Sequence, residues 1–333
     1  MTVTQRAVTD DESDIRLDRW FRRHFPDITQ GVIQRLCRTG QIRVDGKRAE
    51  ASLRLLAGQT IRIPPLPDPK SPETPAEPPP DSRTRSEMER MVLYRDDHLI
   101  VLNKPSGLAT QGGPGITRHL DGMSRALATS PADRPRLVHR LDRDTSGVLV
   151  LARSPGVAAK LAAAFRSRAV EKIYWAVVVG RPVPVEGRLD LPLTRRDPSQ
   201  AGARGERIAV AEPDDPEATH AITDYRTLDH AARKLALLEL RPLTGRTHQL
   251  RVHCAELGAP ILGDATYGEW REAGNSALIE GLSDRLHLHA RRLTLPHPAG
   301  GTLTVEADLP PHMAETFATL GFDAPAARAA KRG

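Results

Sequence analysis

The chain of 333 residues carries 48 basic and 42 acidic side chains, a net charge of +6, and is long enough for about two domains with buried cores. Its two cysteines, Cys37 and Cys254, lie far apart and fit no metal-ligand or redox spacing, which points to a reducing compartment and against a disulfide scaffold. No apolar run approaches the roughly 20 residues that span a bilayer, and the polar, acidic N-terminus has no signal-peptide core, so the expectation is a cytoplasmic protein with no membrane partner.

The charge excess is local. Residues 14–63 hold 11 basic and five acidic side chains, and the rest of the chain sums to zero. A basic patch of this kind is the electrostatic footprint of a nucleic-acid binder, and an arginine-rich solvated face is the plainer alternative. Arginine outnumbers lysine by 41 to seven, which suits phosphate contacts and follows equally from genome base composition.

In chain order, residues 1–13 are expected to be disordered. Residues 15–24 read as a helix with Leu17, Trp20, Phe21 and His24 on one face, ended by Pro26. A second helix is expected over 30–39, with Ile33, Leu36 and Cys37 inward and Gly40 as its stop. Residues 41–44 alternate as a strand into an Asp45-Gly46 turn, and 60–63 form another short strand. Nine prolines between 64 and 80 mark a stiff linker over 64–85.

The second part, 86–322, mixes strands and helices. Strands are expected over 99–102, 148–152, 172–179 and 235–240. Within 172–179, Ile173, Trp175, Val177 and Val179 share the apolar face and Tyr174 points the other way. Ser154-Pro155 opens a helix reaching about residue 168. Another helix spans about 248–257 and stops at Gly258. Residues 323–333 read as a frayed tail.

Three polar stretches interrupt the core pattern. The first, His139 to Gly147, places Asp142 between Arg140 and Arg143 just before a buried strand. Positive neighbours favour an ionised carboxylate, fit to be a nucleophile, a base or a metal ligand; a salt-bridged turn is the bland alternative. The second, around Lys172 and Tyr174, offers a tyrosine that lines a cleft or is simply half buried. The third, Thr244 to His253, puts Arg246 before a helix N-terminus, ready for a carboxylate or phosphate. His248 and His253 are five apart and share no face, so they make a poor zinc pair. His287 and His289 share a strand face and read as structural.

Together these stretches resemble the pseudouridine synthases of the RluA type, most of all their RluC-like large-subunit ribosomal RNA branch. The signature His-Arg-Leu-Asp-x-x-Thr-Ser-Gly stands at 139–147, Lys-x-Tyr at 172–174, Gly-Arg-Thr-His-Gln-Leu-Arg-Val-His at 245–253 and Leu-Asn-Lys-Pro-Ser-Gly at 102–107. Gln111 stands before Gly112-Gly113 where relatives often carry His. Residues 14–63 resemble the S4 RNA-binding domain through Arg16-Leu17-Asp18, residues 32–40 and residues 42–47.

The resemblance implies an α+β fold. A small S4-like α/β domain precedes a two-lobed catalytic domain built on a mixed, mainly antiparallel sheet, with the active cleft between the lobes. It implies an enzyme that isomerises specific uridines of 23S ribosomal RNA after flipping the base out of its stack. By resemblance Asp142 is the catalytic carboxylate, Arg246 pairs with it, and Tyr174 stacks on the base. Arg140, Leu250 and His139 form the substrate-binding set, with Arg140 filling the vacated place in the RNA and His139 supporting the loop. Asp144 is a loop residue. Arg16, Arg19, Arg35, Arg38, Arg43, Lys47 and Arg48 of the S4-like domain would bind RNA. No cofactor and no metal is implied, and the protein is expected to act as a monomer. The alternatives are a non-catalytic ribosome assembly factor, which need not keep Asp142, Tyr174 and Arg246 together, and a synthase acting on transfer RNA. A zinc deaminase requires a Cys-x-x-Cys pair that is absent.

Overall fold

The computed structural model describes residues 3–26, 28–66, 81–113, 115–130, 133–196, 207–232, 234–268, 281–323 and 327–332. The chain divides into two compact units, Met1–Pro78 and Pro79–Gly333.

In the first unit, β1 (Thr4–Ala7) leads through a turn of 3-10 helix to α1 (Leu17–His24) and α2 (Gln30–Arg38). These are followed by β2 (Arg43–Val44), β3 (Lys47–Arg48) and β4 (Thr60–Ile63). Leu17, Trp20 and Phe21 of α1 and Ile33, Leu36 and Cys37 of α2 form its core with Ile42, Leu55 and Ile61, as the helical spacing requires. Asp45 and Gly46 both take positive φ, 49° and 74°, which matches a tight hairpin joining β2 to β3.

The expectation of disorder over 1–13 fails for the described residues 3–13. β1 pairs with β4 along four residues, and Glu12 is buried, accepting hydrogen bonds from Trp20 Nε1 (2.8 Å) and meeting His24 Nε2 at 2.5 Å. Every side chain of β1 is exposed, so the strand leaves no hydrophobic period in the sequence. Backbone pairing holds it, with the Arg6 guanidinium 5.9 Å from the centre of the Trp20 ring.

The linker expected over 64–85 lies mostly outside the described residues, at 67–80. Its last four positions are helical. α3 (Ser82–Arg90) begins there, capped by Asp81, whose carboxylate accepts from Thr84 N at 2.7 Å.

The second unit continues with β5 (Val92–Arg95), β6 (Leu99–Lys104), α4 (Leu120–Met123), β7 (Arg136–Leu137) and β8 (Ser146–Ala152). Then come α5 (Pro155–Arg166), β9 (Glu171–Val179), β10 (Glu186–Asp190), β11 (Leu193–Arg196), β12 (Arg207–Val210), β13 (Ile222–Ala231) and β14 (Leu235–Pro242). The chain ends with α6 (Gln249–Glu256), β15 (Leu288–Pro296), β16 (Thr302–Glu306), α7 (Pro311–Leu320) and β17 (Lys331–Arg332). One large sheet runs β10-β13-β14-β9-β15-β8-β6-β5. Its pairings are antiparallel except where β15 meets β8.

The sheet has two halves with separate cores. In one, β6 and β8 send Ile100, Leu102, Leu149 and Leu151 to one face and Leu99, Val101, Val148 and Val150 to the other. In the other, β9 sends Ala176 and Val178 toward α6 and Val177 and Val179 toward α7. Both faces of β9 are therefore covered, and Tyr174 packs among apolar neighbours. The face opposite Trp175 is not a polar one, because helices lie on both sides of the strand.

β15 is the seam. Ala290 pairs with Gly147 of β8 on one side and Tyr174 of β9 on the other. Gly147 has φ 111°, and a Cβ there would stand 2.3 Å from the Ala290 carbonyl oxygen, so only glycine fits.

The tail expected to fray is tied down where it is described. Ala327 N donates to Asp308 at 2.7 Å, Arg328 N to Glu306 at 3.0 Å, and β17 pairs with β16. Main-chain donors do this, so composition gave no sign of it. No helix among the described residues is long and apolar enough to cross a membrane.

Candidate active site

A cleft of about 700 Å³ opens where the loop before β8, the end of α5, the start of β9 and the loop into α6 meet. Its lining includes His139, Arg140, Asp142, Tyr174, Arg246 and Leu250. All six catalytic and substrate-binding candidates of the second unit therefore share one cavity, although they come from three separate stretches of sequence.

The loop carrying Asp142 is held from beneath by its backbone. Thr110 Oγ1 donates to the Leu141 carbonyl at 2.6 Å and accepts from Leu141 N at 3.2 Å. Lys104, wholly buried, donates to the carbonyls of Pro105, Leu108 and Arg143 at 3.0, 2.8 and 2.9 Å. Burial pulls its ammonium down to about 7, against the opposing pull of Asp144 and Asp142. Ser106 Oγ donates to the Asp144 carbonyl at 2.8 Å. These contacts explain the Leu-Asn-Lys-Pro-Ser-Gly stretch: it is the cradle of the loop.

The Asp142 side chain has no hydrogen bond or ion pair among the described residues, and it is the only carboxylate among those lining the cleft. The cations around that lining are Arg140, Arg166, Arg168, Lys172, Arg246 and Arg251. Arg143, expected beside Asp142, pairs instead with Asp144 at 3.2 Å on the surface. Successive residues of a turn point apart, and Asp144 is its nearest acid.

Arg246 also departs from expectation. Its Nε donates to the His220 carbonyl at 3.0 Å, at the exposed rim, rather than pairing with Asp142. The arginine that feels the Asp142 charge is Arg251, a residue of the same motif that was not among the expected site residues. It forms a two-pronged pair with buried Asp264 at 2.7 and 2.8 Å. Burial opposes its charge, but Asp264 first and Asp142 beyond it raise its pKa. Asp264 also caps Thr266 N and Tyr267 N. The only signal in sequence was its place within the Gly245–His253 motif, and nothing marked Asp264 as its partner.

Tyr174 is pushed well above the usual phenol range, first by burial and then by the Asp142 carboxylate. It therefore stays a neutral phenol. His139 is driven down to about 3 by burial and by Lys172. Its Nε2 accepts from Val150 N at 2.9 Å and its ring stacks on Phe165 at 4.4 Å, so it anchors the loop. Leu250 is buried in the first turn of α6, beside the cluster that reaches Tyr174. Arg140 is exposed at the mouth.

The turn before α6 is organised by Gln249. Its Oε1 accepts from Thr244 Oγ1 (2.8 Å) and Arg246 N (3.0 Å), and its Nε2 donates to Ile222 O and Thr223 Oγ1. Every polar position of that amide is used. His248 takes a left-handed conformation, φ 53°, and bonds Tyr267 OH at 2.8 Å. His253 is buried against Thr223 Oγ1 at 2.9 Å. His289 meets Ser146 Oγ at 2.9 Å and His287 meets Thr316 Oγ1 at 2.8 Å. Among the described residues no group of three His, Cys, Asp or Glu side chains comes together to hold a metal.

In the first unit, the RNA-binding candidates fall into two groups. Arg16 is spent on Asp18, at 3.2 and 2.7 Å, and Arg43 donates to the carbonyls of Gly40 and Gly46. Arg19, Arg35, Arg38, Lys47 and Arg48 are exposed, and no carboxylate pairs with them among the described residues.

Comparison with known proteins gives a consistent picture. The RNA pseudouridylate synthase family profile matches residues 98–256 and the S4 domain profile matches 15–61. Ribosomal large subunit pseudouridine synthase C of Rickettsia bellii is 38% identical over 302 residues, covering 89% of this chain and 94% of that protein. The protein of the same name from Vibrio cholerae is 34% identical, covering 94% and 95%. Among solved structures, human RNA pseudouridylate synthase domain containing 4 superposes with a TM-score of 0.60 at 33% identity, covering 73% of this chain and 97% of that one.

Proposed function

The chain belongs to the RNA pseudouridine synthase family, and from that premise we propose that it isomerises specific uridines of 23S ribosomal RNA, with Asp142 as the catalytic carboxylate. The observation that carries this reading is the position of Asp142, an unpaired carboxylate alone among cations in the cleft that also holds Tyr174 and Leu250. The names of the relatives support a ribosomal substrate.

In the reaction the N1–C1′ bond breaks, the uracil turns, and C5 joins C1′. One proton leaves C5 and one is gained at N1, so atoms and electrons balance without a cofactor, an oxidant or an energy source. Asp142 acts on the sugar or base as nucleophile or as base. Tyr174, held neutral, stacks on the flipped base and serves as a proton donor, and Leu250 packs beside it. Flipping costs a few kcal/mol, and Arg140 at the mouth is placed to occupy the gap in the RNA. Arg246 swings from the His220 carbonyl to the carboxylate when RNA enters, while Arg251 stays fixed by Asp264. The exposed cations of the S4 unit grip phosphates. The substrate puts the enzyme in the cytoplasm, where it works as a monomer.

Asp142→Asn tests this. The variant is expected to bind 23S ribosomal RNA with wild-type affinity and to form no pseudouridine. Modification at the wild-type rate would overturn the assignment of Asp142. Loss of no pseudouridine from ribosomal RNA in a deletion strain would overturn the substrate.

A further inference from the structure

Resting on that reading, we propose that Lys172 and Arg168, with Arg166 beside them, form a binding site for a backbone phosphate of the RNA on the α5–β9 wall of the cleft. Three observations converge there. All three cations line the cavity. Among the described residues none pairs with a carboxylate, and Lys172 Nζ has one hydrogen bond, to the Thr244 carbonyl at 3.1 Å. A half-buried ammonium beside a guanidinium, with no anion between them, is an unfavourable arrangement until an anion arrives.

The second observation is the backbone at Arg168. α5 ends at Arg166 in a Schellman turn, with Ala169 N donating to the Ala164 carbonyl at 3.1 Å. Arg168 occupies the left-handed position of that turn with φ 62°, where glycine is the ordinary choice. An arginine held there against its conformational preference puts a guanidinium at the cleft wall that glycine would not supply.

The third is the state of Lys172. Burial first and Arg168 second bring its ammonium down to about 8, so each cation already feels the other. A phosphodiester fits this chemistry better than a carboxylate ligand, since it is a permanent anion of the RNA and presents two free oxygens to two donors. Lys172 and Tyr174 are two apart on β9 and so face the same side, which places the phosphate grip next to the surface that takes the base. The grip would thus hold the backbone of the flipped nucleotide itself, as a function separate from the S4 unit's hold on the RNA body.

The test compares Arg168→Gly, Lys172→Met and, as an exposed α5 cation outside the cleft lining, Lys160→Met, using transcribed 23S ribosomal RNA. Binding is measured across salt concentrations, with pseudouridine formation by the wild type followed in parallel. Arg168→Gly and Lys172→Met are each expected to reduce the slope of log K against log salt by about one, and Lys160→Met to leave it unchanged. Arg168→Gly should melt at or above the wild-type temperature, because glycine suits the turn; a purely structural arginine would instead show a fall. Wild-type salt slopes in both cleft variants, in a wild type that does modify the RNA, would overturn the phosphate site alone. A wild type that forms no pseudouridine would overturn the parent reading.

Discussion

Gly147 and Ala290 are register partners at the parallel junction of β8 and β15, so close that any side chain at 147 would meet the Ala290 main chain. The same glycine closes the motif that carries Asp142. It joins the loop of Asp142 to the sheet without a spacer. Gly147→Ala combines that overlap with a φ of 111°, a region alanine avoids. The variant is expected to lose about 3 kcal/mol or more of stability, read by denaturant unfolding. A wild-type midpoint would contradict the close approach.

The Arg251–Asp264 pair should behave as a buried unit. Asp264 is inaccessible and gives its oxygens to one guanidinium and two main-chain N–H groups. Asp264→Asn leaves Arg251 unneutralised and is expected to cost about 3–5 kcal/mol. Arg251→Lys keeps the charge but loses the two-pronged geometry, so it should cost less. Thermal melts of the two variants rank them, and equal losses would count against the geometric argument.

Glu12 makes the first unit sensitive to acid. Burial works to raise its pKa, but hydrogen bonds from Trp20, Thr9 N and His24 outweigh it and hold Glu12 at about 2, below the 4.5 of a free glutamate. The unfolded chain therefore binds the proton more readily. The stabilisation is complete above about pH 4.5 and is lost as pH falls toward 2, amounting to about 2–3 kcal/mol. Glu12→Gln should flatten that acid limb in Trp20 fluorescence. An unaltered limb would show that another group sets it.

Arg16 and Arg38 lie in the same basic stretch but should differ in kind. Arg38 is exposed and unpaired with acid among the described residues; Arg38→Ala is expected to lower the salt slope of RNA binding by about one and leave stability within about 0.5 kcal/mol. Arg16 is committed to the mostly buried Asp18. Arg16→Ala should leave the slope nearly unchanged and cost stability, because Asp18 loses its main partner. Matching slopes for the two variants would refute the distinction.

Much of this was legible before any coordinates. The apolar spacing in α1 and α2, the Ser154-Pro155 start of α5 and the Asp45-Gly46 hairpin are local signals, and each stands where the sequence placed it. The motif stretches were legible as a set, and the cleft collects them. What stayed hidden depends on non-local contacts. β1 has no buried side chain, so its strand exists only through β4. Arg246 and Arg251 are alike in sequence, and only the position of His220 and Asp264 tells which is turned to the rim and which is locked inside. Arg168 carries no sign of its left-handed backbone until α5 is seen to end there.

β15 supplies little of the chemistry; of its residues only Leu288 lines the cleft. Yet Ala290 touches the strand behind Asp142 on one edge and Tyr174 on the other. It works as a gauge block, since one strand's width on either side of it sets the separation of Tyr174 from the loop that carries Asp142. A slip of one residue would turn every β15 side chain to the wrong face and would carry Tyr174 out of step with the loop. The strand with one side chain in the cleft is thus the one that fixes how far Tyr174 stands from the loop of Asp142.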